Sequence, residues 1–203
     1  MKKYPIMQKS YPLLVLAFAG AIFVSTTSRA AEGWSPREFY DNPASFLSGF
    51  AGGIAVHELG HAIVAKSKGY AIGHAGLSIT YGSQSIPPRD QRRIASAGFA
   101  AQWIGSEVAF AEREKNGGNF TAGFICAHLA ISAAYLTVLK NQRLGDSVGY
   151  SNASSLSSNQ VVLRAAIPAL MDGWRLFGDN VPGWVPSLSM ATKGVGITAI
   201  WAH

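Results

Sequence analysis

Residues 45–65 form an apolar stretch long enough, at about 1.5 Å per helical residue, to cross a bilayer core, yet its second half carries His57-Glu58-Leu59-Gly60-His61. Two imidazoles and a carboxylate are costly in such surroundings unless they serve a purpose, so this stretch constrains the chain more than any other. A helix sets residues i and i+4 on one face, one turn apart. Both imidazoles then reach a single cation, while Glu58 lies alongside the position of a metal-bound water. The pattern predicts Zn2+ held by His57 and His61, with Glu58 as the catalytic base. The alternative is a helix that merely carries polar side chains.

A catalytic zinc keeps three protein ligands and one open position. Asp172 is the expected third ligand. In Ile167-Pro168-Ala169-Leu170-Met171-Asp172-Gly173 a lone carboxylate sits in an apolar segment, after a proline that loosens the helix and before a glycine that lets backbone approach. The competing role for Asp172 is a salt bridge with Arg164 or Arg175. Cys126 is the only cysteine, so the chain has no internal disulfide and no cysteine-based metal site, and it reads as a buried thiol. His74 reads as a surface histidine, His128 as a packed, hydrogen-bonded one, and His203 is terminal.

The rest of the chain points to lipid. Hydrophobic residues make up 48% and charged residues 14%, which is lean in charge for a soluble globule. Further apolar runs fall at 94–111, 120–139 and 161–177, and the expected fold is an all-α, polytopic membrane helical bundle. Glycines and prolines around the alternating Leu77-Ser78-Ile79-Thr80-Tyr81 predict a small β-hairpin-like loop after the His57–His61 helix. Residues 1–30 combine Lys2, Lys3 and Lys9, an apolar run at 13–24 and Ser28-Arg29-Ala30, the pattern of a signal peptide or a first transmembrane segment. Residues 31–203 then form one membrane domain. Residues 141–160, rich in serine, asparagine and glycine, predict a mobile loop, and the tail 188–203 is short and weakly apolar. The net charge of +6 is not gathered into a basic stripe with interleaved aromatics, which argues against nucleic acid. Lys66, Lys68, Arg89, Arg92, Arg93, Lys140 and Arg143 fall on the side of the N-terminal lysines. That bias predicts an inner-membrane protein with its active site toward the cytoplasm.

Ala55-Val56-His57-Glu58-Leu59-Gly60-His61-Ala62 in one span and Leu170-Met171-Asp172-Gly173-Trp174-Arg175 in a later one resemble the two metal motifs of the site-2 protease family of intramembrane zinc peptidases. Ser96-Ala97-Gly98-Phe99-Ala100-Ala101-Gln102 between them is similar to the family's A-G-P-x-x-N segment, with Phe99 in place of the proline and Gln102 in place of the asparagine. The resemblance covers residues 50–178. It implies hydrolysis of membrane protein or peptide substrates in or beside the lipid bilayer. It also gives Gln102 a catalytic part in holding substrate or oxyanion, against the alternative of an ordinary amide at a helix interface. Two other readings remain open: a soluble exported zinc peptidase with Glu107 as third ligand, and a catalytically silent membrane scaffold stabilised by its metal.

Overall fold

The computed structural model describes residues 33–76, 78–81, 85–115, 118–142 and 145–202. The leader or first span expected over residues 1–30 lies outside them, as do Leu77 and Arg143. Among the described residues the fold is mostly helical, with six α-helices and one two-stranded antiparallel sheet. A single turn of 3-10 helix, Pro36–Tyr40, precedes α1 (Pro43–Ser67). Pro43 suits the first helical position, and the Asn42 side chain accepts from the Ser45 N–H at 3.0 Å, so the apolar run has a defined start.

A short hairpin follows, β1 (Ile72–Ala75) and β2 (Ser78–Tyr81), with His74 opposite Ile79 and Gly76 at the turn with φ +62°. The positive φ explains the glycine there. The remaining helices are α2 (Pro88–Ala111), α3 (Asn119–Thr137), α4 (Asp146–Asn152), α5 (Ser158–Phe177) and α6 (Trp184–Ala202).

Helix α1 packs most extensively against α3 and α2, which places its two histidines inside the bundle. Small residues make this possible. A Cβ on Gly49 would overlap the Phe120 carbonyl, and one on Gly123 would overlap the Phe46 carbonyl, so α1 and α3 meet backbone to backbone. Apolar clusters fill the space on either side. Trp34, Ala109, Ala122, Phe124, Ile125 and Leu176 form one, and Phe99, Trp103, Tyr135, Val162, Ala165 and Ile200 form another. Trp34 closes the first by donating its backbone N–H to the Leu176 carbonyl and its indole N–H to Asn119.

Three expectations change. Among the described residues one helix, Asn119–Thr137, is long and apolar enough to cross a membrane, where the apolar runs suggested several. Glycine, serine and charged residues dilute the others; α2 carries Arg89, Asp90, Arg92 and Arg93 in its first two turns. The segment read as a mobile loop contains α4, whose Asp146 and Ser147 are buried. The weakly apolar tail forms α6, with Val185, Ser189, Lys193 and Ile200 buried.

Candidate metal centre

His57 and His61 are each 3% exposed and turn their Nε2 atoms toward one another at 3.2 Å. The carboxylate that meets them is Asp146. Its Oδ2 lies 3.0 Å from His57 Nε2 and 3.2 Å from His61 Nε2. These three side chains are the one group of metal-ligating type drawn together among the described residues.

The surrounding hydrogen bonds fix how the imidazoles present themselves. His61 Nδ1 sits 2.7 Å from the Ile94 carbonyl, which can only accept, so the proton belongs on Nδ1. His57 Nδ1 lies 3.0 Å from Gln102 Oε1, while Gln102 Nε2 donates to the Gly53 carbonyl at 3.4 Å and thereby sets the amide's orientation. The same tautomer follows for His57. With both Nε2 atoms unprotonated, two lone pairs and an anionic oxygen converge, an arrangement that repels itself unless a proton or a metal ion sits among them. Their spacing of 3.0 to 3.2 Å is close to the ~3.3 Å edge of a tetrahedron with metal bonds of about 2.0–2.1 Å. The residues present thus fit a metal ion.

Asp146 is well suited to be its anionic ligand. Burial by itself pushes the carboxyl up, but when protons rather than a metal ion sit between the ligand atoms, the charge of His61 and hydrogen bonds from both imidazoles outweigh it and hold Asp146 well below the usual carboxylate range. The Tyr135 hydroxyl donates to the same Oδ2 at 2.8 Å. Helix α2 passes directly over the pair, and a Cβ on Gly98 would collide with His61 and His57 Nε2, so only glycine leaves the ligand atoms room. Phe99 sets its ring edge-on to His57 at 5.2 Å. Glu58 is half-buried beside the centre, and its Oε2 accepts from the Ile79 N–H of β2 at 2.6 Å.

Asp172 stands elsewhere. Its Oδ1 meets Lys193 Nζ at 2.6 Å, Ser189 Oγ at 3.0 Å and Arg175 at 3.3 Å. The carboxylate at the imidazoles is therefore Asp146, in place of the Asp172 expected from sequence; cations from α5 and α6 already neutralise Asp172. The salt bridge to Arg175, weighed as the competing role, is present. Glu107, the third ligand of the soluble-peptidase reading, belongs to the same ion cluster, bridging Arg175 and Lys193. Gln102 is fully buried with its amide committed to His57 and Gly53, so it orients a ligand. His74 is exposed, as expected, and His128 is packed and fully buried, but neither of its ring nitrogens makes the hydrogen bond expected of it.

Sequence reasoning missed Asp146, although one signal was available. It is the only Asp or Glu between Glu114 and Asp172. No family model, curated protein or solved structure matches the chain.

Removing the Gln102 amide frees the His57 ring to adopt the other tautomer. Gln102→Ala is expected to weaken metal affinity about 10- to 100-fold, the usual worth of a partner behind a metal-bound histidine, with the fold retained. Metal competition against a chromophoric chelator measures this, and unchanged affinity would remove Gln102 from the centre.

Proposed function

We propose that the chain is a membrane-embedded zinc metallopeptidase of the site-2 protease type, acting on membrane-associated protein or peptide substrates. The observation that carries this reading is the convergence of His57, His61 and Asp146, with Glu58 on the same helix turn. Two imidazoles and one carboxylate are the donor set of many hydrolytic zinc sites, and they leave a fourth position open.

His57, His61 and Asp146 would hold the metal, and Gln102, Ile94 and Tyr135 keep those side chains in place. Zinc in such a site supplies Lewis acidity and an acidic bound water. Glu58 would accept a proton from the attacking water and return it to the departing amine, a transfer that needs a carboxylate free to change partners. Its present partner, the Ile79 N–H, belongs to a surface hairpin and can be exchanged for a substrate.

A lipid setting is supported by the outer surface. On α5, Leu163, Ile167, Leu170, Trp174 and Phe177 form an exposed stripe at i, i+4, i+7, i+11 and i+14, and Leu47, Leu59 and Ile63 are exposed on α1. Large apolar side chains lined up this way face hydrocarbon or another protein rather than water. Lys66, Lys68 and the arginines at the start of α2 lie at one end of that surface, on the hairpin side, in keeping with an active site toward the cytoplasm.

Glu58→Gln keeps the size and hydrogen-bonding reach of the side chain but cannot accept a proton. It is expected to retain metal and lose turnover of a transmembrane peptide in detergent by about 10²- to 10⁴-fold. Full activity in this variant would favour the silent, metal-stabilised scaffold.

A further inference from the structure

Helices α2, α4, α5 and α6 surround a cavity of about 80 Å³ that the peptidase reading leaves without a role. Its floor is apolar. Phe99 and Trp103 from α2, Val161 and Ala165 from α5, and Ile200 from α6 are all buried there. The helical period explains the pairing, since 99 and 103, like 161 and 165, stand at i and i+4 on one face. Ser96 lies on the same wall, but its hydroxyl already donates to the Arg92 carbonyl at 2.7 Å. Among the described residues no carboxylate lines the cavity.

The rim differs from the floor. Arg164 and Ala199 are exposed there, and Tyr150 of α4 is half-buried. Arg164 is the one charged residue of the lining, and among the described residues its side chain takes part in no ion pair or hydrogen bond. Leu163 and Ile167 flank it on the outer face of α5, where the exposed apolar stripe begins. A cation and an alkyl-binding surface therefore meet at the opening.

We propose that this cavity binds an anionic amphiphile: an alkyl chain seated against Phe99, Trp103 and Ile200, with a carboxylate or phosphate head on the Arg164 guanidinium. Cavities walled by apolar side chains stay dry and take apolar guests. A peptide segment fits less well, because its backbone N–H and C=O groups would lose water without finding partners on these walls. An alkyl chain needs no such partners. The guanidinium, in turn, matches the oxygens of a carboxylate or phosphate with a fork of N–H donors. The site is distinct from the metal centre, and Phe99 is the wall between them, lining the cavity while its ring stands edge-on to His57 at 5.2 Å. The assignment rests on neither a bound metal nor hydrolysis.

Photocrosslinking tests it on the full-length protein in a non-ionic detergent with phosphatidylcholine. Three diazirine-bearing probes are used in turn, a fatty acid, a phosphatidylglycerol and a phosphatidylcholine, and the crosslinks are mapped by mass spectrometry. At least one of the two anionic probes is expected to mark Phe99, Trp103 or Ile200, and comparing the two separates a free carboxylate amphiphile from a lipid phosphate. The zwitterionic probe is expected on the outer stripe, at Leu163 and Ile167. One cation beside an anionic lipid surface contributes about 5-fold in binding, so Arg164→Gln, at an exposed position, should cut cavity labelling by about that factor and leave the stripe unchanged. Ala199→Trp, also at an exposed position, sets a large ring at the rim and should abolish cavity labelling. Crosslinks confined to the stripe with all three probes, or cavity crosslinks that either variant leaves intact, would overturn the proposal. An active Glu58→Gln, which removes the hydrolytic reading, would leave these crosslinks as they are.

Discussion

Asp146→Ala is expected to purify without metal and without activity, while Asp172→Asn keeps its metal. Asp146 Oδ2 lies within 3.2 Å of both imidazole Nε2 atoms, so truncation removes the one carboxylate among the converging ligand atoms and leaves two imidazoles. Outer partners of metal-bound histidines are typically worth about 10- to 100-fold in affinity, and loss of a direct ligand should exceed that. Asp146→Glu is a sharper probe. It restores the charge on a longer arm, so weak, partly recovered binding is expected, whereas a purely structural role for Asp146 predicts no recovery. Metal content and chelator competition on the same preparations give the answer. Stoichiometric metal in Asp146→Ala, with none in Asp172→Asn, would return the ligand role to Asp172.

The second large effect concerns stability. Asp172, Glu107, Arg175 and Lys193 form a cluster with two charges of each sign, and the Asp172 and Lys193 side chains are almost wholly buried. Asp172→Ala leaves Lys193 with one carboxylate partner shared with Arg175, in an interior that solvates a cation poorly. Breaking a buried pair on one side costs about 3–5 kcal/mol. The variant is expected to unfold well below the wild type in a thermal or denaturant series. Removing both partners, as in Asp172→Ala with Lys193→Met, should recover much of that loss, because no uncompensated charge remains. If the single variant is as stable as wild type, the cluster does not hold α5 and α6 together. A loss of metal that follows unfolding is distinguished from a ligand effect by measuring metal below the unfolding transition.

Local pattern decided much of the fold. The i, i+4 histidines, the helix that carries them, the helical runs that became α2, α3 and α5, and the hairpin after Lys68 follow from periodicity and from glycine and proline placement, which act over a few residues. The stretch at 146–152 was illegible for the same reason. Its composition favours a loop, and its buried face exists only because α2 and α5 cover it. The tail became α6 by burying Val185, Ser189 and Lys193 against the same bundle, which hydropathy alone does not reveal.

The candidate site divides along the same line. The sequence determined His57, Glu58 and His61 as a unit, because one turn of helix fixes their mutual geometry whatever the rest of the chain does. It also marked Asp172 as a lone carboxylate in an apolar segment that needed a partner, and offered Glu107 as an alternative third ligand. Which carboxylate completes the imidazole pair was decided by tertiary structure. A cation at Lys193, 21 positions beyond Asp172, claims one carboxylate, and α4 delivers another from 85 positions beyond His61. Pairing of charges over such separations depends on how helices stack, and stacking is set by where glycines let backbones touch, a property of two helices at once that neither sequence segment carries by itself.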